Sequence, residues 1–254
     1  MANVLELFSL KGKKALVTGA AKGLGRSFSE ALHEAGAEVV LVDILDMVKS
    51  TAAEIGTSGA PVHYIVGDLL DRIEIDRIFK ECLDILDGRL DILVNNAGTH
   101  CKGPTIGYKI KDWDRIISLN LTTQFILCQR AGEVMVKQGY GRIINITSAV
   151  GVTGGLNCTA YSASKGGITT MTKTLSNEWS GFGVTVNAIA PGYINTDINK
   201  ESTPERRAYI SSRIPRGYWG EPSYLKGAVV FLASDAADYV TGVILPVDGG
   251  FLSR

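Results

Sequence analysis

One alternation constrains this chain more than any other feature. Short, β-branched runs that are almost continuously apolar alternate with longer stretches of helical periodicity along its 254 residues. The runs predicted as strands are 15–18, 38–43, 63–66, 92–95, 142–147, 185–189 and 243–247, and the helical patterns cover 24–35, 47–55, 73–86, 112–137, 160–180 and 224–233. A strand that is apolar at every position needs cover on both faces, and parallel strands need crossover helices to supply it. The pattern therefore predicts an α/β fold over 1–254: one doubly wound sheet of seven parallel strands with helices on both faces. The interval 195–222 fits this rhythm least. It is charged, contains Pro204 and Pro215, and separates the last two strands, so it is predicted as an irregular lid over a binding site.

Charge and cysteine usage exclude several function classes. The 26 basic and 26 acidic residues cancel, leaving no basic excess for neutralising many phosphates, so nucleic acid is not an expected partner. Cys82, Cys101, Cys128 and Cys158 stand far apart, and His33, His63 and His100 show no ligand spacing. The expectation is reduced thiols, no metal and a cytoplasmic location. Residues 1–14 carry no apolar leader core, and no run approaches the roughly 20 apolar residues that span a bilayer.

The first strand runs directly into Gly19-Ala20-Ala21-Lys22-Gly23-Leu24-Gly25 and then into a helix. Glycines there permit a tight turn and let backbone N–H groups approach a pyrophosphate, towards which the helix directs its positive end. Asp43 closes the second strand, about 20 residues on, where a carboxylate accepts hydrogen bonds from ribose hydroxyls and repels a 2′-phosphate. Lys22 pulls towards NADP, but Ile44 and Leu45 offer no second cation, so NAD is the expected cofactor and NADP the lesser alternative. Asn95-Asn96-Ala97-Gly98 ends the fourth strand. Asn95 reads equally as a brace between strands or as a cofactor contact, while Ala97 and Gly98 leave room for a ligand.

Tyr161 and Lys165 are four residues apart at the start of a helix, so both project from one face. An ammonium beside a phenol is expected to lower the phenol's pKa towards neutrality, making it a proton donor to a carbonyl or an acceptor in reverse. Ser148, just past the fifth strand, is placed to donate to the same substrate oxygen.

Taken together, Thr18–Gly25, Asn95–Gly98, Ser148, Tyr161-Ser162-Ala163-Ser164-Lys165 and Pro191-Gly192 resemble the short-chain dehydrogenase/reductase family, in its short single-domain form, over essentially the whole chain. The glycine spacing G-x-x-x-G-x-G separates this group from longer epimerase-like relatives, which use G-x-x-G-x-x-G. The resemblance implies a Rossmann fold and a nicotinamide-dependent oxidoreductase that interconverts a secondary alcohol and a ketone. It further implies that Asn120 holds a water on a proton relay and that Asp68, with Leu69 beside it, meets the adenine. It implies that Lys165 bonds the nicotinamide ribose, that Ile194 and Thr196, after Pro191-Gly192, meet the carboxamide and phosphates, and that the chain forms a homotetramer through 112–137 and 160–180.

Asn177-Glu178-Trp179, the run from Asn187 to Ile194, and Gly217-Tyr218-Trp219-Gly220-Glu221-Pro222 resemble members acting on gluconate and 2-deoxygluconate. His100, Lys102, Asn157, Arg206, Arg207, Arg213 and Arg216 are donors that a polyhydroxylated carboxylate would engage, although charges of this kind also occur on a solvated lid. Polyols and 3-oxoacyl thioesters remain alternative substrates. A redox-sensing protein that binds the cofactor without turnover is the non-enzymatic alternative.

Overall fold

The computed structural model describes residues 3–197 and 202–253. Each apolar run becomes a strand: β1 (Lys14–Thr18), β2 (Glu38–Asp43), β3 (Val62–Val66), β4 (Ile92–Asn95), β5 (Gly141–Ile146), β6 (Val184–Pro191) and β7 (Ile244–Val247). All pair in parallel, in the order β3-β2-β1-β4-β5-β6-β7. Register explains the two-sided core. Leu16 lies opposite Val40 and Leu93, and these three join the apolar layer on one face. Their neighbours Ala15, Val17, Val39 and Leu41 point the other way into the second layer.

The helices divide between these layers. One face is covered by α1 (Gly23–Glu34), α2 (Val48–Ile55) and α9 (Lys226–Ala233), through residues such as Phe28, Ala52 and Val229. The other is covered by α3 (Arg72–Ile85), α5 (Thr123–Gln138) and α7 (Thr159–Trp179), through Ile78, Leu127 and Leu175. Local chemistry sets their ends. Asp71 caps α3 by accepting from the Ile73 N–H at 2.8 Å, and Gly139 ends α5 in the left-handed conformation (φ +70°).

Three local features depart from the sequence reading. The helix expected over 112–137 begins earlier, as α4 (Ile110–Ile117), and a π turn at Ser118–Thr122 separates it from α5. The interval 195–222 is not wholly irregular, since it holds α8 (Pro204–Arg213); its residues 198–201 lie outside the described residues. A further short helix, α6 (Val150–Thr153), follows β5. No described helix is long and apolar enough to cross a membrane.

β1 lies between β2 and β4, so crossovers leave it in opposite directions and a crevice opens at the carboxyl ends of these strands. The cleft described next lies there.

Candidate active site

A cleft of about 620 Å³ opens where β1 and β4 part, lined on one side by Gly19, Lys22, Gly23 and Leu24. Gly19 and Gly23 adopt left-handed backbone (φ +64° and +59°), which other residues enter only with strain. A Cβ on Gly19 would lie 2.9 Å from the Ala97 Cα, so glycine is required sterically as well. No side chain caps the N-terminus of α1, leaving its first-turn N–H groups at the cleft wall formed by Gly23 and Leu24. This cradle of backbone donors fits the pyrophosphate of a dinucleotide. Gly25 does not line the cleft. A Cβ there would fall 2.0 Å from the Gly19 carbonyl oxygen, so Gly25 lets α1 close against the turn.

Asp43 borders the same cleft and is buried. Its Oδ2 accepts the Ala21 N–H and its Oδ1 the Leu45 N–H, each at 3.0 Å, so the carboxylate also fixes the glycine turn. Lys22 lines the cleft, and its ammonium pairs with Asp197 at 2.8 Å. Asp68, Leu69, Ala97, Gly98 and Thr196 complete the predicted lining. Asn95 does not join them. Its side chain is fully buried and Nδ2 donates to Asn145 Oδ1 at 3.0 Å, bracing β4 against β5, which selects the first of its two readings.

The neighbouring Asn96, which the sequence reading did not select, does line the cleft, and its Nδ2 donates to the carbonyls of Thr18 and Gly19 at 2.9 Å each. The repeated amide at a strand end was the available signal, but sequence alone does not say which of the two faces inward.

The cleft continues into a smaller chamber of about 100 Å³ that shares Leu24, Asn96, Gly98 and Thr196 with the first. Ser148, Tyr161, Lys165, Pro191, Gly192 and Ile194 line it. Three groups distant along the chain thus converge. Ser148 lies in the turn after β5, and Tyr161 and Lys165 lie in the first two turns of α7. The Ser148 side chain lies near enough to the Tyr161 phenol to oppose the rise of its pKa. Lys165 Nζ donates to the Ile146 carbonyl at 2.6 Å and stands 5.7 Å from the centroid of the Tyr161 ring.

The electrostatics differ from the sequence expectation. Burial raises the Tyr161 phenol to about 12, the Ser148 side chain opposes this, and Lys165 is not among the causes. Burial also lowers Lys165 to about 7. Desolvation thus favours the neutral form of both groups.

Asn120 sits in the π turn, fully buried. Its Oδ1 accepts the Thr99 N–H and its Nδ2 donates to the Thr99 carbonyl, both at 2.8 Å, with a further donation to Ser164 Oγ at 3.2 Å. This clamp ties the loop after β4 to α7 behind the chamber. The His100 ring meets Tyr161 edge-on at 6.3 Å. Lys102, Asn157 and the four arginines stand outside both chambers. A half-buried phenol close to a hydroxyl, with an amine behind it, can pass a proton to or from an oxygen placed between them.

The family described as Enoyl-(Acyl carrier protein) reductase matches residues 19–252. A protein of Pseudoalteromonas atlantica named 2-dehydro-3-deoxy-D-gluconate 5-dehydrogenase is 44% identical over 99% of this chain and 100% of its own length. The Escherichia coli protein of the same name is 40% identical, over 99% and 100%. A solved gluconate 5-dehydrogenase from Burkholderia cenocepacia, in complex with NADP and tartrate, superposes with a TM-score of 0.94 at 32% identity, covering 99% of this chain and 100% of that one. With the glycine turn, the Ser-Tyr-Lys chamber and full-length relatives in agreement, the chain belongs to the short-chain dehydrogenase/reductase family and is an NAD(P)-dependent oxidoreductase.

Proposed function

We propose that the chain interconverts a secondary alcohol and a ketone on an open-chain sugar acid of the gluconate or deoxygluconate class, with NAD in preference to NADP. The observation that carries this reading is that Ser148, Tyr161 and Lys165 meet in a chamber continuous with the cleft bounded by the glycine turn and Asp43. The substrate class is supported by relatives of essentially equal length named for a deoxygluconate, and by a solved relative that holds tartrate, itself a hydroxy acid.

Bound in the cleft, the nicotinamide supplies or accepts the hydride. The chain's own residues hold the substrate oxygen and move the proton. Ser148 Oγ donates to that oxygen where negative charge develops. Tyr161, which burial favours in its protonated form, gives its proton to the carbonyl in reduction; in oxidation its phenolate, formed by loss of that proton to solvent, takes the proton from the alcohol. Lys165, whose charged form burial disfavours, lines the chamber with Tyr161 and can take up or release charge as the phenol changes state. Asn120 supports the relay by fixing the loop at Thr99.

At the other end of the cleft, Gly19, Gly23 and Leu24 receive the pyrophosphate, Asp43 the adenosine ribose, and Asp68 and Leu69 the adenine. Ala97, Gly98, Pro191, Gly192, Ile194 and Thr196 enclose the nicotinamide half.

The preference for NAD follows from a negative Asp43 beside Ile44 and Leu45, with Lys22 engaged by Asp197. Asp43→Asn keeps an acceptor for the turn but removes the charge. It should reduce the ratio of kcat/KM for NAD over NADP about tenfold; an unaltered ratio removes Asp43 from the argument.

The chain works as a cytoplasmic homotetramer in this reading. A turnover screen of aldonates, 2-dehydro-3-deoxyaldonates, polyols and 3-oxoacyl thioesters with both cofactors tests the function. Sugar acids should give the highest kcat/KM. Faster turnover of neutral polyols or thioesters overturns the substrate class, and cofactor binding without turnover of any member overturns the enzymatic reading.

A further inference from the structure

Two cations line the large cleft, Lys22 and Arg115. The Lys22 ammonium pairs with Asp197 at 2.8 Å. Arg115 is exposed, and its side chain has no hydrogen bond or ion pair among the described residues. Neither the proton transfer nor the pyrophosphate cradle calls on it.

The elements around Arg115 fix its place. The Thr123 hydroxyl, at the start of α5, donates to the Leu69 carbonyl at 2.7 Å and so seats this end of the helix beside the segment after β3. Leu119 precedes Thr123 by one turn and packs against the same apolar cluster as Leu69. Arg115 stands a further turn back, on α4. Residues four apart share a helix face, and Arg115 and Leu119 line the cleft together. Leu69 and Leu70 line it from the segment after β3, and Ile44 and Leu45 from the segment after β2. None of these residues lines the smaller chamber that holds Tyr161 and Lys165. Arg115 therefore belongs to the end of the cleft remote from the reacting groups.

The chemistry of that end selects its ligand. Leucine and isoleucine walls accept an apolar ring, whereas a phosphate would lose its water against them without replacement. A guanidinium is planar, stacks on aromatic faces and is attracted to their π electrons. We propose that Arg115 holds the adenine of the bound nicotinamide dinucleotide through the flat face of its guanidinium. The proposal rests on the dinucleotide reading of the cleft and deepens it. Adenine is common to NAD and NADP, so this contact strengthens both alike and leaves the choice between them to Asp43.

The test measures binding to the full-length enzyme, by calorimetry for ADP-ribose and by fluorescence titration for NADH and NADPH. The variants are Arg115→Ala, Arg115→Lys and the control Lys111→Gln, which removes a charge one turn further out on the same helix and outside the cleft lining. Arg115→Ala should raise the Kd for ADP-ribose about threefold to thirtyfold, and those for NADH and NADPH by the same factor. Arg115→Lys keeps the charge without the flat face and should recover only part of the loss. Lys111→Gln should bind as wild type does. Thermal melts of all three should coincide with wild type, since the substituted side chains are exposed. If wild type binds neither ADP-ribose nor NADH, the dinucleotide reading falls and this proposal with it. Four outcomes overturn the proposal alone: ADP-ribose binding by Arg115→Ala equal to wild type, full recovery by Arg115→Lys, an equal loss in Lys111→Gln, or a loss confined to NADPH, which would place the guanidinium at the 2′-phosphate.

Discussion

Burial acts on Tyr161 and Lys165 in the same sense, towards the neutral form, raising one to about 12 and lowering the other to about 7. The spacing of four residues correctly put both side chains on one helix face, but depth below the surface is not written in spacing, so the direction of the phenol's shift was not legible. Tyr161→Phe keeps the ring and removes the proton donor. It should lower kcat by about 10²–10⁴ while NAD still binds, measured by turnover and fluorescence titration; full activity would exclude Tyr161 as the proton-transfer group. Lys165 makes a claim on stability. In the unfolded chain its amine titrates at 10.5, and in the folded chain at about 7. Between these values the unfolded state holds a proton that the folded state has released. The penalty of the buried ammonium is therefore absent above 10.5, grows as pH falls, and is complete below about 7. Wild type should gain on Lys165→Met between about pH 7 and about pH 9, by at most about 1.4 kcal/mol per pH unit. Urea denaturation at the two pH values measures this, and a constant difference between the proteins would contradict it.

Secondary structure was legible where periodicity is long and obscured where one or two residues decide it. Five of the seven strands were visible because a strand covered on both faces leaves no polar side to confuse the pattern; the edge strands β3 and β7, which are largely half-buried, were visible from their β-branched residues. The helix α8 was masked by the charge of its arginines, yet its signals are present in sequence. Thr203 accepts the Arg206 N–H as a cap, Pro204 occupies the first turn with Glu205, and Ile210 and Ile214 lie one turn apart. The π turn at Ser118–Thr122 gave no such signal, because one extra residue in a turn leaves the surrounding helical periodicity intact. Its effect is nevertheless specific. It turns Asn120 into the interior, and the Thr123 hydroxyl donates to the Ser118 carbonyl at 3.0 Å and to the Leu69 carbonyl at 2.7 Å. Asn120→Ala removes both bonds to Thr99 and leaves that backbone amide and carbonyl without them. It should destabilise the fold by about 1–3 kcal/mol in urea and also lower kcat, because the loop after β4 borders the cleft. Stability equal to wild type would mean that the clamp on Thr99 carries no load.

At the scale of the whole molecule, the sheet order sets β1 between β2 and β4, and the cleft opens at that switch. The outer surface was harder to read, because an apolar residue on a helix looks alike in sequence whether it faces the sheet or another subunit. Coordinates separate these cases. Leu127 on α5 is buried in the core, whereas Phe125 on the same helix remains 47% exposed and Ile110 at the start of α4 is 71% exposed. The proposed tetramer, assembled through the α4–α5 and α7 faces, gives such residues a partner, since burying apolar surface between subunits is favourable as it is within one. Phe125→Glu leaves the sheet core untouched but would bring an unpaired carboxylate into that contact. Sedimentation equilibrium should therefore give four times the chain mass for wild type and a smaller species for the variant, with unchanged far-ultraviolet circular dichroism. A wild-type monomer, or a variant that assembles as wild type does, would remove this face from the assembly.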